Sequence, residues 1–272
     1  MKTLITTTLM LIGLAFTIPM KSAMAQKNSE LLGTDNPFKF NNLDVTLGWS
    51  QSNMSITNGL LLQTQLLPTF NINAENNVGF FSIQNGAGLW LYKKDQLKVG
   101  ASINYMLGRY AKYDAKYTPL GDVSGAFDAY IWLEWQPIKD AVTVYGNYAR
   151  TAEASYRAYG QLGLTLGVPV VGPLNAFLDL NFNYANQTYW QKYYGLDARQ
   201  ALASARTPYL FNQGGLLNGA GLLGLDLVLD KDSDLVVGVG QLKYSKGLAS
   251  SPLIAQSEQQ TLLLVWNQKL NP

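Results

Sequence analysis

Alternation between apolar positions and polar or glycine positions recurs along most of this chain, and it constrains the fold more than any other feature. The clearest runs lie at 97–107, 127–135, 162–168, 176–184, 223–229 and 262–270. A period of two predicts β-strands with one buried face, because successive side chains of a strand point to opposite sides. After residue 26 no stretch approaches the roughly 18 apolar residues that a membrane-spanning helix needs. The chain is therefore expected to be all-β.

The faces opposite the apolar ones are polar and rich in glycine, and they include Asp128, Glu134, Asp179, Asn181, Asn183 and Asp226. A soluble sandwich turns its apolar face inward, whereas a membrane barrel turns it toward lipid and keeps the polar face in the lumen. Alternation alone leaves both folds open.

Strand length and aromatic placement favour the barrel over a secreted sandwich. The alternating segments run about 9–14 residues, which suits a tilted bilayer crossing better than the about five or six residues of soluble strands. Aromatic residues lie near the predicted strand ends, as in the girdles of membrane barrels: Trp49, Tyr92, Trp135, Tyr148, Tyr184, Trp190 and Trp266. We therefore expect an antiparallel, up-and-down transmembrane β-barrel of 10–12 strands.

The amino terminus has the features of a cleaved export signal over residues 1–25. Lys2 precedes an apolar stretch from Leu4 to Ile18, and Ala23-Met24-Ala25 forms a small-x-small cleavage site. We expect a short periplasmic segment at 26–41 and the barrel at 42–272, in the outer membrane of a Gram-negative bacterium. Without Lys2 and Lys21 the mature chain has 18 basic and 18 acidic residues, so nucleic acid is not an expected partner.

Eleven strands are predicted, at 43–50, 60–72, 78–92, 96–108, 122–135, 141–150, 156–168, 174–186, 215–229, 234–245 and 259–270. Because a barrel with both ends on one side needs an even number, one assignment must change. A tight turn at Asn85-Gly86 would split 78–92 and give twelve, whereas exclusion of 43–50 would give ten.

The connections between the predicted strands alternate in length. Those at 93–95, 136–140, 169–173 and 230–233 are short, and those at 109–121, 187–214 and 246–258 are long. In outer-membrane barrels the long loops are extracellular and the short turns periplasmic, so both termini are expected in the periplasm.

The chain has no Cys and no His, which removes disulfides, thiolate chemistry and the commonest general base and metal ligand. We therefore expect no enzymatic activity, no cofactor and no metal site. Strand parity points Asp128, Glu134, Asp179 and Asp226 inward, where Lys98 and Arg150 are candidate ion-pair partners. Asp230, Asp232 and Asp234 lack the glycine and glutamate of a calcium loop and are interpreted as a turn.

Several short motifs occur in a fixed order along the mature chain. Tyr193-Tyr194-Gly195-Leu196-Asp197-Ala198-Arg199-Gln200-Ala201 is followed by Ser204, Pro208-Tyr209 and Gly214-Gly215. Gly108-Arg109 and Gly121-Asp122 precede this segment, and a stretch from Gly247 to Ser251-Pro252 follows it. The ordered set resembles the MipA/OmpV family of outer-membrane β-barrels (MltA-interacting protein-like), although Leu248 stands where that family has an aspartate.

The resemblance implies a structural or scaffold role in the cell envelope, joining a lytic transglycosylase to a murein synthase. The alternatives are a small pore for polar solutes and a surface adhesin that acts through its long loops. The family-motif and candidate loop-contact residues are Gly108, Arg109, Gly121, Asp122, Tyr193, Tyr194, Gly195, Gln200, Arg206, Pro208, Tyr209, Ser251 and Pro252.

Two of the long loops are rich in aromatic residues. The loop at 187–214 contains Tyr189, Trp190, Tyr193, Tyr194, Tyr209 and Phe211 beside Lys192, Arg199 and Arg206. These residue types suit a protein contact, but a loop folded over the barrel mouth as a plug would also use them. The basic, aromatic stretch at 109–117 suits lipopolysaccharide phosphates, since Arg and Lys pair well with phosphate.

Overall fold

Twelve antiparallel strands close into one barrel in a computed structural model that describes residues 42–53, 64–82, 85–106, 120–152, 157–254 and 256–270. The strands are β1 (Asn42–Asn53), β2 (Thr64–Glu75), β3 (Gly79–Ser82), β4 (Gly86–Lys94), β5 (Leu97–Met106), β6 (Ala126–Ile138), β7 (Val142–Thr151), β8 (Ala158–Val171), β9 (Leu174–Ala185), β10 (Gly215–Val228), β11 (Ser233–Tyr244) and β12 (Glu258–Lys269). The proposed export signal and the segment at 26–41 lie outside the described residues.

The barrel closes between its first and last strands. β1 pairs with β12 from Asp44–Lys269 to Ser52–Thr261, and every other strand pairs with its chain neighbours. The strand number is therefore twelve: 43–50 belongs to the wall, and a turn at Asn85-Gly86 splits 78–92. Gly86 has a φ of 73°, a left-handed conformation that glycine adopts without strain.

The even strand number places both barrel termini at one end. We call this the turn end, because the predicted short turns at 93–95, 136–140, 169–173 and 230–233 lie there, and the opposite end the loop end. The predicted separation of these turns from the long loops is confirmed within the described residues, although the short β3–β4 turn also lies at the loop end.

The two faces of the wall are inverted relative to a soluble protein. Outward side chains are apolar and exposed, such as Ile103 at 61% and Phe127 at 60%, whereas inward Asp128 and Asp179 are almost fully buried. The side-chain period of two accounts for this separation. None of the helices in the described part of the chain is long and apolar enough to cross a membrane.

The structure places most of the predicted girdle residues on the outward face. Tyr92, Trp135, Tyr148, Tyr184 and Trp266 are exposed there, while the side chain of Trp49 is outside the described part. The prediction for Trp190 is wrong, because this residue is buried within the loop end.

Arg150 also differs from its prediction. Asp128 pairs in register with Thr151, so Thr151 shares the inward face and Arg150 points the other way and is exposed. Arg150 therefore lies on the outward face of the wall and not in the lumen.

Three short helices cover the loop end: α1 (Gln187–Tyr194), α2 (Ala198–Ala203) and α3 (Lys246–Ala249). Each begins at a polar residue whose side chain accepts a backbone N–H: Asn186, Asp197 and Ser245. Asp197 and Gln200 form a reciprocal capping box, which fixes the start of α2.

Candidate functional site

The long loops fold over the barrel mouth as a packed cap. Its core contains residues of α1, α3 and the adjoining strands and loops: Val123, Ala185, Tyr189, Trp190, Tyr193, Phe211, Leu217, Leu248 and Ile254. The rings of Trp190 and Phe211 meet edge to face with centroids 5.1 Å apart. Burial raises the pKa of Tyr189 well above its usual value, so this phenol stays neutral. The aromatic loop is therefore folded over the mouth as a plug, in which the rings of Tyr189, Trp190, Tyr193 and Phe211 are buried.

The family-motif residues hold the three loops together. The side-chain amide of Gln200 donates to the carbonyl of Leu120 at 2.6 Å, and the hydroxyl of Ser251 donates to the carbonyl of Tyr194 at 2.5 Å. Leu196 and Tyr209 exchange two backbone hydrogen bonds of 2.7 and 2.8 Å. Residues far apart in sequence therefore form one hydrogen-bonded cap.

The remaining motif residues occupy several environments within the cap. The N–H of Gly195 donates to the carbonyls of Trp190 and Gln191, and a Cβ there would lie 2.2 Å from the Gln191 amide. Gly121 has a φ of 70°, while Asp122 and Pro208 are exposed and Arg206 and Pro252 are half-buried. Gly108 and Arg109, with the rest of the basic stretch at 109–117, lie outside the described residues.

The buried position of Leu248 explains why this chain has a leucine where the family pattern has an aspartate. It is fully buried in the cap core, in the same cluster as Trp190 and Ile254. An aspartate at this position would place a charge in an apolar cluster, so the leucine here serves packing.

Arg157 is a cap residue that the sequence gave no reason to select. It is fully buried; its Nη1 donates to the Tyr193 hydroxyl at 2.7 Å, and the guanidinium lies 5.6 Å from the Tyr193 ring centre. A lone arginine at the start of a predicted strand is usually solvated, and only the folded cap brings Tyr193 above it.

The inward carboxylates are confirmed as lumen residues, and neutral groups hold two of them. Asp179 accepts hydrogen bonds from Tyr145 at 2.9 Å, Thr165 at 2.6 Å and Asn181 at 3.2 Å. Asp128 accepts one from Tyr159 at 2.8 Å. At Asp179, hydroxyl and amide donors therefore supply the contacts that cations were expected to make.

A second lumen cluster lies on β2 to β6 and combines three rings with charges. The rings of Phe80, Trp90 and Trp132 meet pairwise with centroids 4.8 to 5.1 Å apart. Buried Lys98 forms a 3.7 Å ion pair with Glu75, as sequence parity predicted for an inward lysine, and Lys93 pairs with the same carboxylate at 3.7 Å. We call these rings the aromatic platform.

At the turn end, Asp230 and Asp232 form part of the β10–β11 turn. The N–H of Asp232 donates to Asp230 at 2.7 Å, which lowers the pKa of the Asp230 carboxyl. Asp234 points into the lumen instead, so the three carboxylates do not converge. Among the described residues no group of three or more Asp or Glu could hold a metal ion.

Comparisons with known proteins agree with this architecture. The family model described as MltA-interacting protein MipA matches residues 45–267, which is most of the chain. No curated protein matches the sequence.

Solved outer-membrane proteins are similar in fold alone. The NanC porin has 10% identity and a TM-score of 0.42, with 84% of this chain and 100% of the porin covered. An outer-membrane channel from Pseudomonas putida F1 has the same identity and TM-score and covers 89% of this chain and 100% of its own. Neisserial surface protein A has 10% identity and a TM-score of 0.31 over 84% of this chain and 96% of its own.

Proposed function

Because the chain belongs to the MipA family of outer-membrane-type β-barrels, we propose that it is a non-enzymatic scaffold in the outer membrane of a Gram-negative bacterium. It is exported with removal of residues 1–25. Its loop end faces outward among lipopolysaccharide, and its turn end faces the periplasm. There it brings together a lytic transglycosylase and a murein synthase, the partners that the family resemblance implies.

The packed cap is the observation that carries this proposal. A pore for polar solutes needs a continuous aqueous path, whereas the loop end here is filled by an apolar core with Leu248 fully buried at its centre. Tyr145 on β7 is buried and hydrogen-bonded to Asp179 on β9, and Trp132 is half-buried on the inward face of β6. Both side chains narrow the interior of the barrel further. A filled barrel suits a structural role better than transport.

The turn end supplies the surface that periplasmic partners would contact. The neighbouring connections β6–β7, β8–β9 and β10–β11 expose apolar side chains at their tips: Ile138, Val170, Val171 and Leu229. Val171 is 69% exposed and lies beside Gly172-Pro173. Exposed apolar groups at the strand ends suit a protein contact better than periplasmic water.

Co-purification with a lytic transglycosylase and a murein synthase from detergent-solubilised outer membranes tests the proposal. We expect both enzymes to be retained by the barrel, and retention to fall at least about tenfold in Val171→Asp, since a charge in the centre of an apolar contact is costly. Leu210→Asp is the matched control, because Leu210 is similarly exposed but lies at the loop end.

If the two variants retain the enzymes equally, the contact lies elsewhere on the barrel. If the wild-type barrel retains neither enzyme, the scaffold proposal is refuted. Slower gel mobility after boiling, with fractionation in the outer membrane, tests the location and the closed barrel. Steady conductance in planar bilayers would instead favour the pore.

A surface adhesin is the second candidate, because the cap exposes two isolated leucines. Leu202 is 85% exposed on α2, and Leu210 lies on the following loop. Leu202→Asp with Leu210→Asp should abolish binding to a host surface if this role applies, while Val171→Asp should not affect it.

A further inference from the structure

Two inward carboxylates lie close together at the turn end of the barrel. Asp226 is near the end of β10 and Asp234 is near the start of β11, on either side of the turn that joins these strands. Their residues are only 5% and 6% exposed, and the Oδ1 atom of each is buried without a hydrogen-bond partner. Neither carboxylate forms an ion pair within the described part of the chain.

The strand register makes these two acids diagonal neighbours on the lumen face. Asp226 pairs with Val236 and Asp234 pairs with Val228, so the aspartates are offset by two residues across one strand boundary. Diagonal neighbours are about 7–8 Å apart at Cα and closer at Cβ. Two oxygens that share one Ca²⁺ are separated by up to about 5 Å, a distance that carboxylates on such neighbouring positions can reach.

A neutral side chain on the same face adds a third oxygen. Asn175 on β9 pairs directly with Asp226 on β10 and is 8% exposed. Its side-chain amide makes no hydrogen bond within the described residues, although buried amides are normally paired. Three consecutive strands therefore direct oxygen atoms that lack a polar contact toward one part of the lumen.

An apolar layer adjoins these three residues on the side of the lumen interior. Val236, which pairs with Asp226, and Val265, which pairs with Val236, are both buried. Leu222 and half-buried Phe177 belong to the same cluster. A charge beside such a layer is poorly solvated, so two neighbouring anions there are unfavourable unless a cation neutralises them.

The inward lysine of this region is matched by a third acid. Lys269 lies on β12, two positions beyond the residue that pairs with Asp234, and it pairs in register with Asp44 on β1. Among the described residues, the inward charges of β10, β11, β12 and β1 are therefore three carboxylates and one ammonium group. The turn-end mouth of the lumen has an excess of negative charge on this side.

We propose that Asp226, Asp234 and Asn175 bind one divalent cation of the Ca²⁺ type at the turn-end mouth of the lumen. Ca²⁺ takes six to eight oxygen ligands in a flexible geometry and accepts carboxylate, amide and water oxygens together. Such a site needs neither His nor Cys. Its two acids and one amide are compatible with the lack of a three-acid cluster among the described residues.

The cation links β9, β10 and β11 directly beneath two of the turns that expose apolar side chains, Val171 and Leu229. It stabilises this part of the wall, because it replaces the repulsion between two buried anions with attraction to a shared ion. Binding of the ion requires no partner enzyme, so this site is separate from the scaffold role.

Equilibrium dialysis of radioactive Ca²⁺ against the detergent-solubilised mature barrel tests the site. We expect one saturable site, and we expect Asp226→Asn and Asp234→Asn each to weaken binding at least about tenfold, because a charged ligand becomes neutral. Asp95→Asn is the matched control, since it makes the same change at an exposed turn-end residue. No saturable binding up to about 10 mM Ca²⁺, or equal affinities for Asp226→Asn and Asp95→Asn, would overturn the proposal.

Thermal unfolding, followed by gel mobility without boiling, provides a second readout and verifies that each variant folds. Ca²⁺ should raise the unfolding temperature of the wild type by at least about 2 °C over EDTA and should leave that of Asp226→Asn unchanged. In EDTA, Asp226→Asn should be at least as stable as the wild type, because one of two neighbouring like charges is gone. Lower stability of this variant in EDTA, or an equal response of both proteins to Ca²⁺, would refute the site, whatever the result of the enzyme pull-down.

Discussion

Truncation of Leu248 to alanine should loosen the cap without unfolding the barrel. Leu248 is fully buried in the cap core, so the substitution removes three buried carbon atoms. At about 0.8 kcal/mol for each, the loss is about 2.4 kcal/mol before any cost of the cavity, and about 3–5 kcal/mol with it. Because the cap lies outside the strand ladder, it can open as a local unit.

A loss of about 2.4 kcal/mol corresponds to an increase of roughly 50-fold in the population of the cap that is open. Hydrogen exchange measured by mass spectrometry should therefore quicken by at least this factor in α1, where the Trp190 N–H donates to the Asn186 carbonyl at 3.1 Å. Exchange in the barrel strands should stay unchanged.

Leu202→Ala is the matched control for this measurement, because the same chemical change is made in the same cap at a side chain that is 85% exposed. It should alter exchange by less than about twofold. If Leu248→Ala leaves exchange in α1 within the range of this control, the buried cluster does not hold the cap closed.

Three further predictions concern the wall and the cap. Glu75→Gln should lower the free energy of unfolding in urea by about 3 kcal/mol, since it removes the buried carboxylate charge that pairs with Lys93 and Lys98. The same change at exposed Glu258 should cost below about 1 kcal/mol, and equal effects would contradict the role of burial. Gly163→Leu should prevent folding, because even a Cβ at this position would lie 2.1 Å from the Tyr145 ring. The measurement is loss of the gel mobility shift on boiling, and a variant that still folds would show that the lumen has room for the added side chain. Asp197→Ala should destabilise α2 by about 1 kcal/mol, because the Gln200 N–H loses its capping acceptor. Hydrogen exchange of the Gln200 backbone amide should become faster, and unchanged exchange would mean that the capping box is dispensable.

The candidate site was only partly predictable from the sequence. The motif residues Gln200, Tyr209 and Ser251 were selected from the sequence as family-motif and candidate loop-contact residues, and in the structure they make hydrogen bonds within the cap. A plug and a contact loop need the same aromatic side chains, and only the packing of the loops against one another decides between them. Arg157 was missed for the same reason, since its partner Tyr193 is 36 positions away.

The sequence by itself determined the wall of this protein. Alternation is a local property of the backbone, so it located the strands, pointed Asp128 and Asp179 inward and separated long loops from short turns. Closure, register and packing are not local. They decided that the strands number twelve, that Arg150 faces outward and that Trp190 is buried. They also limited the described pairing of β2 with the four-residue strand β3 to Asn73–Glu75, because a strand's partner depends on how far the adjacent strands extend and not on the strand's own residues.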